Sequence, residues 1–208
     1  MTPPHPDRPA RETSASGIPT FRRGDDDGGR RNGFDLAGLG RIVEGVQSDP
    51  AMAELRFRVA TRWTGQTRSE SMVESCELGG QRISRRFKIA SDEPTDLLGG
   101  DSAPNPQELL ISALNACMAV SYVALASRQG IALSLLEIDT SGSLDLRGYL
   151  RLDRAIPPGY RQLDFTVRIG GDGTPDQFRA IHEDVMRSSP NFSILSQPIC
   201  MNGRLEIV

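Results

Sequence analysis

Few groups in this sequence can do chemistry, and most of them are thiols. Cys76, Cys117 and Cys200 are far apart and odd in number, so they do not read as a disulfide framework. There are two histidines. His5 lies near the start of the chain, and His182 falls between the apolar positions of an amphipathic stretch, where it reads as a solvated residue. No HExxH, CxxC, P-loop or GxSxG pattern occurs. Nothing therefore points to a metal site or a cofactor, and Cys–His catalysis has poor support. What remains is the chemistry of one thiol: attack by the thiolate and oxidation to a sulfenic acid.

Cys117 is the candidate, because it lies mid-way along the strongest helical pattern, with Ala113 and Ser121 one turn away on its face. The plain alternative is that a buried cysteine is a small core hydrophobe. Burial disfavours the thiolate. The helix dipole gives no help about three turns from the N-terminus, since the effect fades within the first turn. A reactive Cys117 therefore needs a cation from another segment. The helix has no Lys or Arg before Arg128, so the available donors are Arg56, Arg58, Arg62 and Arg68.

The helix that must hold this thiol opens at Asn105-Pro106-Gln107-Glu108: Asn as N-cap, Pro at the first helical position, Glu as capping-box partner. Gly130 supplies the stop. At about 1.5 Å per residue the rod is roughly 36 Å long. It is apolar nearly all round from Leu109 to Leu125, so it must be enclosed on most sides. A domain this small rarely encloses such a helix alone, and a homodimer is expected. A membrane span is the other way to cover an apolar helix. Ser112, Asn115 and Ser121 interrupt the run and no basic flank marks an inside end, so a core helix is preferred and no membrane partner is expected.

Around this helix the period changes. Leu55, Phe57, Val59 and Trp63 alternate with Glu54, Arg56, Arg58 and Arg62, as a half-buried strand does. A second strand is predicted near residues 67–78, a hairpin turn at Gly79-Gly80, and a third strand through Ile83, Phe87 and Ile89. Residues 91–102 read as a loop. After Gly130, strands are predicted at 135–140, 143–152 and 163–169. A helix follows from Thr174-Pro175 with Phe178, Ile181 and Val185 on one face; then comes a loop, and residues 199–208 close as a strand. Strands on either side of a long helix imply an α+β fold with antiparallel sheets.

Residues 1–33, rich in Pro, Gly, Asp and Arg, are expected to be a disordered tail. Residues 34–50 form an N-terminal helical extension, with Asp35 as N-cap and Leu39, Ile42, Val43 and Val46 on one face. Residues 51–208 form the α+β domain. The formal net charge of −3 and pI near 5.5 argue against a nucleic-acid partner. Without an apolar leader-like run in residues 1–33, a reducing cytoplasm is the expected setting.

The stretch Pro106-Gln107-Glu108-Leu109-Leu110, then Ala113-Leu114-Asn115-Ala116-Cys117, resembles the signature P-x-E-L-L followed by A-L-x-A-C of the OsmC-like family, which includes the organic hydroperoxide resistance (Ohr) proteins. Asp92-Glu93-Pro94 to Gly99-Gly100, Arg128-Gln129-Gly130-Ile131, and Ser189-Pro190-Asn191-Phe192-Ser193-Ile194-Leu195 resemble further family features. The likeness covers about Ala51 to Val208. It implies an intertwined homodimer whose peroxidase members serve the oxidative stress response by reducing organic hydroperoxides. In those members the first motif's cysteine becomes a sulfenic acid, a second cysteine closes a disulfide with it, and an external dithiol reduces the bridge. An Arg and a Glu hold the thiolate.

Carried onto this chain, the resemblance makes Cys117 the peroxide-reducing cysteine and Arg68 or Arg62 its cation. The carboxylate position falls at Gln107, with Glu108 beside it. Glu108 is about 180° round the helix from Cys117, Gln107 about 80°. Ser189 stands at the second-cysteine position, and a serine cannot close a disulfide. Resolution by Cys200 or Cys76 needs Cα atoms within about 7 Å. Two readings follow. One is a thiol peroxidase, peroxiredoxin-like in activity, reducing a small hydroperoxide at Cys117 with an external thiol as reductant. The other is a redox-inactive OsmC-like module that binds a small apolar ligand at the dimer interface.

Overall fold

The structure, a computed structural model, describes residues 29–208; the expectation of a disordered tail lies outside the described residues as far as 1–28 are concerned. Residues 29–33, the end of that expected tail, are folded. Arg30–Arg31 (β1) pairs antiparallel with Phe34–Asp35 (β2) across Asn32-Gly33, both at positive φ. Asn-Gly suits that two-residue turn because both central positions need left-handed backbone. The helix Leu36–Ser48 (α1) follows, with Asp35 accepting a hydrogen bond from the Gly38 amide as its cap.

The expected first strand is two pieces, Leu55–Phe57 (β3) and Ala60–Gly65 (β4). Both pair with one edge of Arg68–Leu78 (β5), and Gln81–Ser91 (β6) pairs with its other edge, all antiparallel. The long helix Pro106–Arg128 (α2) comes next. Leu133–Ser141 (β7) and Asp164–Gly171 (β8) form a separate antiparallel pair. Pro175–Ser188 (α4) and Pro190–Ser196 (α5) finish the regular structure. This is an α+β architecture of antiparallel sheets around one long helix.

Three expectations need correction. Residues 143–152 are not a strand. Asp145 caps a short helix, Leu146–Tyr149 (α3), through the Arg147 amide, and Gly148 lies against the Ile156 and Pro157 carbonyls with no room for a Cβ. The alternating leucines there imitated a strand period. The segment after Ser189 is helical (α5), where a loop was expected. Residues 199–208 carry no regular secondary structure, and Ile199, Met201, Leu205 and Ile207 are exposed. The strand-like alternation is present in the sequence, but among the described residues no neighbouring strand meets it.

One stripe of α2, Leu114, Met118, Tyr122 and Ala126, recurs every four residues and forms the core with Ile131, Ile181 and Val185. Leu136, Ile138, Phe165, Val167, Phe178 and Phe192 close around it. Each large side chain buried this way contributes about 1.5–3 kcal/mol. Among the described residues, α2 is the one helix long and apolar enough to cross a membrane by length and composition.

Candidate active site around Cys117

Three segments converge on the turn of α2 that carries Cys117. From β7, the Thr140 hydroxyl donates to Asn115 Oδ1 (2.6 Å), and Asn115 Nδ2 donates to the Ile138 carbonyl (3.3 Å). From α5, Asn191 Nδ2 donates to the Ala113 carbonyl at 2.8 Å. Within α2, the Ser121 hydroxyl donates to the Cys117 carbonyl at 3.1 Å. At the junction of α4 and α5 sits Ser189, wholly buried, whose hydroxyl donates to Cys117 Sγ at 3.4 Å. The Cys117 side chain is half-buried.

The other expected site residues lie elsewhere. Glu108 is occupied at the helix start: its Oε2 accepts from the Asn105 amide at 2.8 Å while Asn105 Oδ1 accepts from the Glu108 amide at 2.9 Å, the capping box expected from sequence. Gln107 is half-buried in the first turn. Arg62 on β4 and Arg68 on β5 are exposed, and neither hydrogen-bonds Cys117 among the described residues. Their sheet makes no more than marginal contact with α2 within the chain. Cys76 shares a cross-strand row with Phe57 and Ile83 on that sheet, Cys200 is exposed in the C-terminal segment, and all three thiols are free.

Several residues escaped sequence reasoning. Asp92, in the loop before α2, is fully buried and accepts from the Thr67 and Ser102 hydroxyls and from the Glu93, Gly100 and Ser102 amides. Those donors, Thr67 foremost, hold its carboxyl well below the usual range. Its ring of partners ties the turn between β4 and β5 to the loop that leads into α2. His182 is not a solvated residue: it is half-buried, with Nδ1 2.5 Å from the Tyr122 hydroxyl and its ring near Phe165. Burial pushes the Tyr122 phenol up to about 12. Asn32, at the tip of the first hairpin, donates to Ser127 Oγ and the Ile131 carbonyl and accepts from the Leu133 amide, so it staples the end of α2 to the start of β7. The Asn32-Gly33 dipeptide was the signal for it.

The sequence model of the family described as OsmC-like protein matches residues 99–202, a span that holds α2, Cys117 and Ser189. The chain belongs to the OsmC-like family. Solved structures agree on the fold. An OsmC-like protein from Mycoplasma pneumoniae superposes with TM-score 0.55 at 16% identity, covering 69% of this chain and 89% of the other. A protein from Psychrobacter arcticus 273-4, named for osmotic stress induction and a detoxification response, gives 0.50 at 14% identity over 64% and 84%. The organic hydroperoxide resistance protein OhrB of Bacillus subtilis overlaps more loosely, at 0.41 and 15% identity over 64% and 85%. No curated protein sequence matches this one. Ser189, the residue expected at the second-cysteine position, is the one whose hydroxyl touches Cys117 Sγ.

Proposed function

We propose that this OsmC-like protein reduces organic hydroperoxides at Cys117 and relies on an external thiol to regenerate it. The carrying observation is the contact of Ser189 with Cys117 Sγ, in which the family's second-cysteine position supplies a hydroxyl to a half-buried sulfur. The sulfur attacks the terminal oxygen of ROOH, the O–O bond breaks, and the alkoxide leaves and is protonated to the alcohol. Cys117 becomes a sulfenic acid, oxidised by two electrons. Ser189 cannot condense with it. An external thiol therefore attacks the sulfenic sulfur, water leaves, and a second thiol releases Cys117 as the thiol and carries away a disulfide.

The reading includes a homodimer. Within one chain, Val120 and Leu110 of α2 and Phe57, Trp63, Ile83 and Phe87 of the β3–β6 sheet are exposed. A helix apolar on all sides and a sheet with apolar exposed side chains cover each other if the sheet of one copy lies over α2 of the next. That arrangement is also the one in which the arginines of β4 and β5 could approach Cys117. The reducing cytoplasm is the setting proposed, since it keeps a thiol pool at hand.

The test is consumption of tert-butyl hydroperoxide with dithiothreitol by the full-length protein. Wild type is expected to exceed the protein-free rate and Cys117→Ser to fall back to it. No consumption by wild type with any of a mono- and a dithiol reductant would sink the reading.

A further inference from the structure

Ser189 stands at the N-cap of α5 and at the C-cap of α4. Its backbone is held on both sides: its amide donates to the Val185 carbonyl and its own carbonyl accepts from the Ser193 amide. A serine at an N-cap normally spends its side-chain oxygen on the amides of the new helix. The other polar caps of this chain do so: Asp35, Asn105, Asp145 and Thr174 each accept from an amide two or three residues on. Ser189 makes no such bond. Its hydroxyl, wholly buried, points instead at Cys117 Sγ. α5 forgoes a capping bond and the hydroxyl goes to the sulfur.

We propose that Ser189 is a positioning residue that favours and orients the Cys117 thiolate by donating its hydroxyl proton to the sulfur. The inference rests on the peroxidase reading for its purpose, but the contact stands without it. A thiol is a weak acceptor and a thiolate a strong one, so a fixed donor stabilises the anion more than the neutral form. Because Ser189 is held by two helices, little ordering entropy is lost when the bond tightens. The donor also fixes one side of the sulfur, leaving the remaining lone pairs for the peroxide. Asn191, two residues on, bonds the Ala113 carbonyl one turn before Cys117, so the same short helix sets the height of α5 on α2.

The experiment measures the rate of Cys117 alkylation by iodoacetamide against pH, in a Cys76→Ser, Cys200→Ser background of the full chain. Ser189→Ala is expected to move the midpoint of that profile up by about one pH unit and to slow alkylation about tenfold below it. Ser189→Thr, which keeps the hydroxyl, is expected to return the midpoint towards that of the parent. If Ser189→Ala does not fold, Ser189→Gly removes the same hydroxyl and decides the matter. A profile superimposed on the parent's after loss of the hydroxyl overturns the proposal. The contact has its own arm: in the same background, Ser189→Cys treated with diamide is expected to lose both remaining free thiols to an internal disulfide. Retention of both, in a folded protein, would equally overturn it. Neither readout uses a hydroperoxide, so peroxidase inactivity in wild type would remove the first reading and leave this one measurable.

Discussion

Leu114, Met118, Tyr122 and Ala126 on α2 are covered by β7, β8, α4 and α5, and none is more than 3% exposed. On the β3–β6 sheet, Phe57 is 70% exposed and Trp63 76%. One region closes a core between α2 and elements well separated from it along the chain; the other forms its ladders and leaves its apolar side chains in solvent. A sheet of this size has its backbone hydrogen bonds satisfied before its side chains are, so regular pairing alone says nothing about burial. The contrast separates what this chain does by itself from what the proposed second copy must supply.

Met118→Ala attacks the closed region and should have the largest effect. Met118 is wholly buried, and trimming it costs about 2–5 kcal/mol, with the upper end if the α2–α4 contact cannot collapse into the gap. Urea unfolding of the variant should show a lower midpoint whatever the protein concentration. A loss under 1 kcal/mol would mean that the stripe is looser than its burial implies.

Trp63→Ser attacks the open region and should act differently. If a second copy covers the sheet, truncating an anchor of this kind weakens association by about tenfold or more, about 1.4 kcal/mol. Sedimentation or light scattering across a dilution series would show the shift, with the dissociated form more frequent in the variant. An unchanged oligomer, or a monomer in wild type at high concentration, breaks the comparison: the sheet would then be exposed in its own right.

This difference also decides what was legible in the sequence. α2 could be read from both ends because its signals are local: Asn105, Pro106, Glu108 and Gly130 each act within a turn. β5 and β6 were legible from alternation and Gly79-Gly80. The leucines at 144, 146, 150 and 152 imitate a strand, but alternation without a partner strand has no cause behind it, and the Asp145 cap and Gly148 packing prevail. Residues 199–208 show the same thing from the other side, a strand pattern that joins no edge among the described residues. At the candidate site, motif spacing singles out Cys117 and Ser189, and the fold brings these two side chains into contact. The use of Ser189 was not legible, because a serine before a proline and a helix reads first as a cap, and only tertiary contact redirects its hydroxyl. The arginines expected at Cys117 belong to the open region, whose sheet makes no more than marginal contact with α2 within the chain.

The smallest effect concerns how dry the closed region is. Tyr122 is fully buried, and its hydroxyl meets His182 Nδ1 at the α2–α4 contact. Tyr122→Phe removes one satisfied buried hydrogen bond and leaves the imidazole nitrogen unpaired, a cost of about 1 kcal/mol. Its signature lies in alkali. With the folded phenol pushed up to about 12 and an unfolded tyrosine near 10, the folded chain keeps a proton that the unfolded chain releases between those values. The stabilisation is therefore fully present below pH 10 and is lost as pH rises from there towards 12. Denaturant titrations at stepped alkaline pH should show a decline in wild type that is shallower by up to one proton in Tyr122→Phe. Identical alkaline limbs would mean that water reaches the phenol, and that the region around α2 is less closed than its burial implies.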